Sequence, residues 1–484
     1  MIIDLRPPLA IVGDLLLMLA VVMLVPVVFL PAAYRLDSPA FLWSALICAS
    51  AGLLLRVTCR QNHLSLNPPQ IFVLTVSSWL AVGTFCALPL LFSGLGLSAT
   101  DAFFESISGI TTTGSTVLSG LDQLPEDILL WRSLLQWAGG IGIVGMAVAL
   151  FPSIGVGGMR LFLSESSEWT EKAMPRTRQL SKYLVIIYTF ITVLCGVSYY
   201  FAGMTAFDAV NHAMTTVSSG GFSTSDSSLG RYGNPLILWV SVVFMILGGL
   251  PFMLYVRALV NGERKVFARD AQVKGFLWLL LLVSIVLGLW RSAYSDVGLW
   301  QSFTVAAFNV TSIVTTTGYA STDYTAWGSF AVVLFFALTF VGACSGSTSG
   351  GIKIFRFQLS GILLWEQIRH LIHPAAVLPR RYNGRRISDE LAASTIAFSF
   401  VFFVTMGLLA GVLAWSGLDL ATSLSAAVTA LANVGPGVGD VVGPAGNFSS
   451  LPDIDKWLLA LGMILGRLEL LTFLVLLTPE FWRG

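Results

Sequence analysis

Thr315-Thr316-Thr317-Gly318 closes the apolar run that begins at Phe303, and it decides the fold because the same element occurs four times in this 484-residue chain. The other copies are Thr111-Thr112-Thr113-Gly114, Val217-Ser218-Ser219-Gly220 and Ala432-Asn433-Val434-Gly435. Each copy lies between two apolar segments of membrane length. One polar-glycine turn after a buried helix is unremarkable, but four at matching positions read as four quarters of one ring. Backbone carbonyls arranged in a ring at membrane depth can replace the hydration shell of a small cation.

The composition agrees with a membrane setting. Hydrophobic residues make up 55% of the chain and charged residues 11%, against about 25% charged in a soluble domain. Apolar stretches long enough to cross the hydrocarbon core fall at 9–30, 41–58, 70–96, 128–152, 183–203, 234–258, 275–295, 329–358, 389–416 and 455–478. With the N-terminus inside, 21 of the 27 Lys and Arg residues lie on the cytoplasmic side, concentrated in 160–182, 257–274 and 353–386. Arg35, Arg132, Arg231, Arg291 and Lys456 fall outside, and Arg467 lies within a span. This distribution follows the positive-inside rule and predicts that both termini are cytoplasmic. The first apolar run is too long for a signal-peptide core and is expected to remain as a helix.

The four copies share a plan of helix, short helix, polar-glycine strand and helix. The short helices are expected at 102–110, 206–214, 303–313 and 422–431, too short to span a bilayer. Nine residues before each glycine stand Glu105, Asn211, Asn309 and Ala426, so three repeats carry a polar side chain at that turn. Extended backbone at membrane depth is tolerated where it lines a water-filled cavity. Four helix C-termini, each with about half a negative charge, converging there favour a cation over an anion. Glycine permits the close approach and the unusual dihedrals that such a ring requires. Beyond the glycines stand Asp122, Asp226, Asp323 and Asp440. They read either as a cation-concentrating collar at an outer mouth or as caps of the following elements.

Two further features lie on the path. Gly342-Ala343-Cys344-Ser345-Gly346-Ser347-Thr348-Ser349-Gly350-Gly351 interrupts the eighth span, and so many glycines and hydroxyls cannot make a stable lipid-facing helix. Its spacing to Lys353 does not fit a phosphate loop, so nucleotide binding there is rejected. Arg467 at membrane depth costs about 3 kcal/mol on insertion scales and marks a functional position. The competing explanation, a pair with Glu469, is disfavoured because residues two apart on a helix do not face one another.

These features identify the chain as resembling the Trk/Ktr/HKT superfamily of potassium transporters, and the length, two extra N-terminal spans and the closing Thr478-Pro479-Glu480-Phe481-Trp482-Arg483 resemble its bacterial TrkH branch. The expected fold is an all-α polytopic membrane protein, with two N-terminal transmembrane helices and four helix-pore helix-filter-helix repeats around a pseudo-fourfold pore. The units are 1–65, the repeats 66–160, 161–270 and 271–375 (the third with a broken second helix), and 376–484. The resemblance implies potassium as the transported ion and bacterial inner-membrane localisation. The expected ion-contacting residues are Thr112, Thr113 and Gly114, Ser218, Ser219 and Gly220, Thr316, Thr317 and Gly318, and Asn433, Val434 and Gly435. The copies keep one common glycine each rather than the TVGYG of tetrameric potassium channels, which implies looser discrimination among cations. The resemblance also makes the 342–351 loop, with Gly342, Gly346, Gly350 and Gly351, an obstruction below the filter, and places Arg467 beside it as a second gate element.

Further implied are a homodimer and a cytosolic TrkA-type ring that binds NAD and ATP, with the basic segments as docking surface; positive-inside bias alone also explains those segments. No organic cofactor and no nucleic-acid partner are expected on this chain. The cysteines Cys48, Cys59, Cys86, Cys195 and Cys344 are scattered and suggest no disulfide framework or metal site, and His370 and His373 read as solvated in a basic loop. An intramembrane enzyme is disfavoured, because His212 supplies no base for four equivalent sites and no HExxH or paired-Asp motif occurs. Asp14 and Glu469 read as isolated carboxylates near span ends, which favours channel-like passage, with proton- or sodium-coupled symport as the alternative.

Overall fold

The computed structural model describes residues 3–30, 38–60, 66–149, 177–376 and 378–483. Among them, seven helices are long and apolar enough to cross a membrane: Arg6–Phe29, Ser38–Thr58, Pro68–Phe92, Glu126–Met146, Gln179–Phe201, Ala271–Tyr294 and Asp389–Trp415. Their outward faces display Trp43, Leu54, Phe190, Trp278 and Phe400, as lipid contact requires. Helices are the natural solution there because every backbone polar group is satisfied within the segment. The first two cross closely through small residues, since a Cβ on Gly13 falls 2.8 Å from the Gly52 carbonyl oxygen and the reverse distance is the same. Asp14 and Arg56 pair across this crossing, so Asp14 is not isolated.

Two spans read from the sequence as single crossings are interrupted, and the 329–358 span breaks as its glycine-rich segment predicts. The span at 234–258 is two helices, Pro235–Gly249 and Phe252–Val260, bent by 87°. Pro251 has no N–H to continue the helix and forces Leu250 into extended backbone (ψ 154°). The final span at 455–478 breaks into Asp453–Arg467 and Leu470–Leu476 at 106°, with Glu469 at φ +56°. The 329–358 span ends as a helix at Thr339. Val341–Gly342 then pairs in parallel with Ile352–Lys353, pinching the glycine-rich segment into a closed loop. The chain continues as a helix, Ile354–Ile372, well beyond the expected boundary, so much of 353–386 is helical rather than loop. His370 lies on this helix, 3.7 Å from Glu366, and not in a solvated loop. Of the basic segment 160–182, residues 160–176 lie outside the described residues.

At the centre lie four short helices, Ala99–Ile110, Ala206–Val217, Leu299–Val314 and Leu420–Ala432, each beginning a few residues before its expected start or ending a few beyond its expected end. We call them pore helices one to four. Side-chain caps start three of them: Ser98 accepts from the Asp101 N–H (3.0 Å), Thr205 from Asp208 (3.1 Å) and Asp419 from Thr422 (3.1 Å). Such caps are worth about 1 kcal/mol each. Residues 104–110 of the first and 304–314 of the third are buried throughout, so these helices are enclosed by protein. Lys456 reaches Asp101 at 2.7 Å with its side chain 5% exposed, closing the seam between the fourth and first repeats.

Candidate ion pathway

All four pore helices end in the same way. The backbone N–H groups of Thr113, Gly220, Thr317 and Val434 reach back to the carbonyls of Ser108, Thr215, Ser312 and Thr429 at 2.9, 2.9, 2.8 and 3.1 Å. The residue before each, Thr112, Ser219, Thr316 or Asn433, is left-handed, with φ of 53°, 56°, 57° and 53°. This is a Schellman termination without glycine at the left-handed position. Asn tolerates that conformation, but β-branched Thr112 and Thr316 do not, so each stores roughly 1–3 kcal/mol of strain. Strain repeated at equivalent sites points to a functional constraint on the backbone.

The shared conformation corrects the alignment of the second copy by one residue. Two residues after each left-handed position stand Gly114, Gly221, Gly318 and Gly435, with φ of 90°, 78°, 79° and 101°. The common glycine of the second copy is therefore Gly221, and Gly220 is the counterpart of Thr113, Thr317 and Val434. The same shift makes His212, not Asn211, the equivalent of Glu105 and Asn309.

These segments form a closed ring. A Cβ on Gly114 falls 2.2 Å from the Gly220 carbonyl oxygen, one on Gly221 1.8 Å from that of Thr317, one on Gly318 2.1 Å from Val434, and one on Gly435 2.7 Å from Thr113. Each glycine thus abuts the next copy in the order one, two, three, four and back to one. No side chain fits at these four positions. Among the described residues, no hydrogen bond is donated to the carbonyls of Thr113, Thr317 or Val434.

Polar side chains hold the ring from behind. Glu105 accepts from the Val117 N–H (2.9 Å), the Thr116 hydroxyl (3.0 Å) and Arg132 Nε (2.8 Å). Arg132 is 1% exposed, and its Nη1 continues to the Ser223 carbonyl at 3.0 Å. His212 contacts the Asp208 carbonyl through Nδ1 (2.8 Å) and the Ser223 hydroxyl through Nε2 (2.9 Å). Because a carbonyl only accepts, Nδ1 carries the proton and Nε2 accepts from Ser223. Asn309 donates to the Ser321 hydroxyl at 2.9 Å. The fourth repeat has Ala426 here, and neighbouring Ser425 instead accepts from the Val438 N–H at 2.5 Å. Tyr319 bridges repeats by bonding Thr215 and Thr216 at 2.5 and 3.1 Å.

The outer aspartates are exposed, and several also hold backbone. Asp226 accepts from the N–H groups of Gly120 (2.9 Å) and Leu121 (3.2 Å), Asp122 pairs with Arg231 (2.5 Å), and Asp323 caps Thr325 (2.9 Å).

The glycine-rich loop is docked against the left-handed residues. The Thr348 hydroxyl lies 2.7 Å from that of Ser219 and 3.1 Å from the carbonyls of Val217 and Gly248. The Gly350 N–H donates to the Thr316 hydroxyl at 2.7 Å. A Cβ on Gly350 falls 2.3 Å from the Ala432 carbonyl oxygen, and one on Gly342 falls 2.1 Å from that of Gly350. Gly346 and Gly351 have φ of 75° and 67°. The Gly346 carbonyl accepts from the Phe252 N–H at 2.9 Å, which ties the loop to the break after Pro251. Lys353 bonds Ser349, closing the loop base. The loop therefore touches three of the four filter copies. Arg467 ends its helix beside pore helix four, where a Cβ on the preceding Gly466 falls 2.0 Å from the Leu431 carbonyl oxygen. It is 3% exposed, and its Nε and Nη2 have no hydrogen-bond partner among the described residues. Glu469 pairs instead with Arg356 at 3.0 Å, which excludes the Arg467–Glu469 pair.

Four re-entrant helix ends closed into a ring, wrapped by apolar helices and capped by a polar loop, define a four-repeat membrane protein built around a central pathway. Residues 37–483 match the TrkH family, described as cation transport protein, and the chain belongs to that family. The Trk system potassium uptake protein TrkI of Halomonas elongata is 50% identical over 99% of this chain and 97% of its own length. TrkH of Escherichia coli K12 is 36% identical, covering 98% of both. The crystal structure of the potassium transporter TrkH from Vibrio parahaemolyticus matches with a TM-score of 0.91 at 33% identity, over 99% of this chain and 100% of that one. All three are named for potassium uptake or transport, and none for catalysis.

Proposed function

We propose that this chain carries potassium into the cell across the bacterial inner membrane, through the ring formed by its four filter copies. The observation that carries this reading is the cyclic contact of four glycines with four neighbouring carbonyls, at the ends of four helices whose negative poles meet there. The residues assigned to the ion are Thr112, Thr113 and Gly114, Ser219, Gly220 and Gly221, Thr316, Thr317 and Gly318, and Asn433, Val434 and Gly435. Ser218 remains a supporting residue whose hydroxyl bonds the Thr215 carbonyl at 3.2 Å.

The loop from Gly342 to Gly351 and Arg467 form the barrier beneath. The loop is held by bonds to Ser219 and Thr316, and the buried guanidinium of Arg467 opposes a cation resting there. Among the described residues, the carboxylates Glu105, Glu469 and Asp14 are each engaged by an arginine, which supports passive conduction over a proton relay through them, while buried Asp455 is bonded by the Ser416 hydroxyl at 2.8 Å. At 100 mV, inside negative, an entering cation gains about 2.3 kcal/mol.

Both termini are cytoplasmic in this reading, the protein forms a homodimer, and the repeat boundaries are those given above. Control comes from a cytosolic TrkA-type nucleotide-binding ring on the basic inner surface. That surface includes a cavity of about 560 Å³ lined by Arg257, Arg264, Lys265 and Arg269 together with Glu263 and Asp270. In its wall Arg257 bonds Glu263 at 2.8 Å and holds its carboxyl below the usual range.

The test is rubidium uptake into potassium-loaded proteoliposomes, with potassium, sodium and lithium as external competitors. Block by potassium but not by sodium or lithium supports the proposal. Absence of uptake in the presence of the TrkA-type partner and nucleotide contradicts it.

A further inference from the structure

The ring is not equivalent in its four quarters, and the difference lies at Gly220. At this layer the other copies have Thr113, Thr317 and Val434. The two threonines bond their own cap residues, Thr113 to Thr111 at 2.7 Å and Thr317 to Thr315 at 2.8 Å. Gly220 has no side chain, and its φ does not demand glycine, since it is not among the positive-φ residues. The reason is steric. A Cβ there falls 2.3 Å from Cδ, 2.4 Å from Oε1 and 2.8 Å from Nε2 of Gln136.

Gln136 comes from the helix Glu126–Ala149, which follows the first filter copy, and it is 0% exposed. Its Nε2 donates to the Gly220 carbonyl at 2.6 Å, and its Oε1 accepts from the Phe222 N–H at 2.9 Å. The orientation of the amide is fixed, because a backbone N–H only donates and a carbonyl only accepts. One turn earlier on the same helix Arg132 reaches the Ser223 carbonyl. The first repeat thus supports three positions of the second copy, Gly220, Phe222 and Ser223. The Gly220 carbonyl has no hydrogen-bonding counterpart in the other quarters, because the Thr113, Thr317 and Val434 carbonyls accept no bond among the described residues.

We infer that Gln136 is a positioning residue for ion selectivity: its carboxamide replaces the missing side chain of the second filter copy and fixes the Gly220 carbonyl in the ring. The inference rests on the reading of the ring as the ion pathway. A carbonyl held by an amide donor is fixed in direction and offers a cation a weaker field than its three neighbours. Discrimination between cations of different size depends on the number and field strength of such carbonyls. Gln136→Leu keeps the bulk and removes both hydrogen bonds, freeing the Gly220 carbonyl. Gln136→Glu keeps an acceptor for Phe222 and removes the donor to Gly220.

The experiment is rubidium uptake competed by potassium and by sodium, in proteoliposomes holding protein of verified monodispersity. The expected result is at least a tenfold fall in the potassium-over-sodium inhibition ratio for Gln136→Leu and Gln136→Glu, at unchanged content of folded protein. Gly220→Thr combined with Gln136→Ala rebuilds the arrangement of the first and third copies and is expected to restore the ratio to within about threefold of wild type, whereas Gly220→Thr alone is not. A ratio is insensitive to how many molecules are folded, so a merely structural role does not move it. Wild-type selectivity in both Gln136 variants overturns this inference and leaves the pathway intact. No uptake by wild type with its partner overturns both. If the Gln136 variants do not fold, the double variant decides: a folded, unselective double variant, or one that also fails to fold, refutes the inference.

Discussion

Gly221→Ala is the sharpest test of the ring. The added Cβ lies 1.8 Å from the Thr317 carbonyl oxygen, whereas ordinary contact begins at 3.4 Å. The second and third copies must therefore part by more than an ångström, at the layer proposed to contact the ion. The φ of +78° adds about 1–2 kcal/mol for any residue with a Cβ. An error of 1.4 kcal/mol in relative ion affinity is tenfold, so the potassium-over-sodium ratio in rubidium-uptake competition is predicted to fall about tenfold or more. Gly435→Ala, whose Cβ finds its nearest carbonyl at 2.7 Å, is predicted to be the mildest of the four. The neighbouring Gly220→Thr meets the Gln136 side chain first, so adding Gln136→Ala rescues it but does not rescue Gly221→Ala. Equal rescue of both variants, or wild-type selectivity in Gly221→Ala, refutes the assignment of Gly221 to the ring.

Other consequences concern the barrier and the scaffold. Thr348→Val keeps shape and removes the hydroxyl that holds the loop to Ser219, Val217 and Gly248. At about 1 kcal/mol net for the lost bonding, basal rubidium flux in proteoliposomes should rise roughly fivefold, and unchanged flux argues against the loop as a gate. Arg467→Ala removes a buried charge and is predicted to raise flux too, so lower flux from correctly inserted protein contradicts its role as a barrier. Arg356→Met leaves Glu469 without its 3.0 Å partner, a loss of about 3–5 kcal/mol for a broken buried pair. A large drop in thermal stability in detergent is expected, and Arg356→Met with Glu469→Met should recover most of it; an unshifted melting temperature in the single variant argues that the pair is not important.

The repeat architecture was legible because membrane burial imposes long apolar segments, and a pore helix is conspicuous as one too short to cross. The interrupted spans were less so. Pro251 marks the sixth, but the break at Glu469 depends on Arg356, which is far away in sequence. The second copy was misaligned because Ser218-Ser219-Gly220 imitates Thr112-Thr113-Gly114 in residue type, and two adjacent glycines offer two registers. Only the left-handed backbone at Ser219 separates them. A count from His212, rather than from Asn211, was available in the sequence, since Gly221 also satisfies the spacing. Gln136 and Arg132 carried no signal of their own. Their roles arise from a helix of one repeat packing behind the filter of the next, and such contacts between distant residues leave no periodicity to read. Arg467 was visible as a membrane-depth charge, whereas its freedom from Glu469 became clear only when Arg356 was seen to claim that carboxylate.

The central claim is that four filter copies make one cation-selective path. Rubidium uptake into potassium-loaded proteoliposomes, with the TrkA-type partner and nucleotide present, tests it directly. Uptake that potassium suppresses at far lower concentration than sodium, and that Gly114→Ala, Gly221→Ala and Gly318→Ala each degrade in selectivity, is the predicted result. Uptake whose ion preference is indifferent to all three substitutions, or no uptake from well-folded protein, would contradict it.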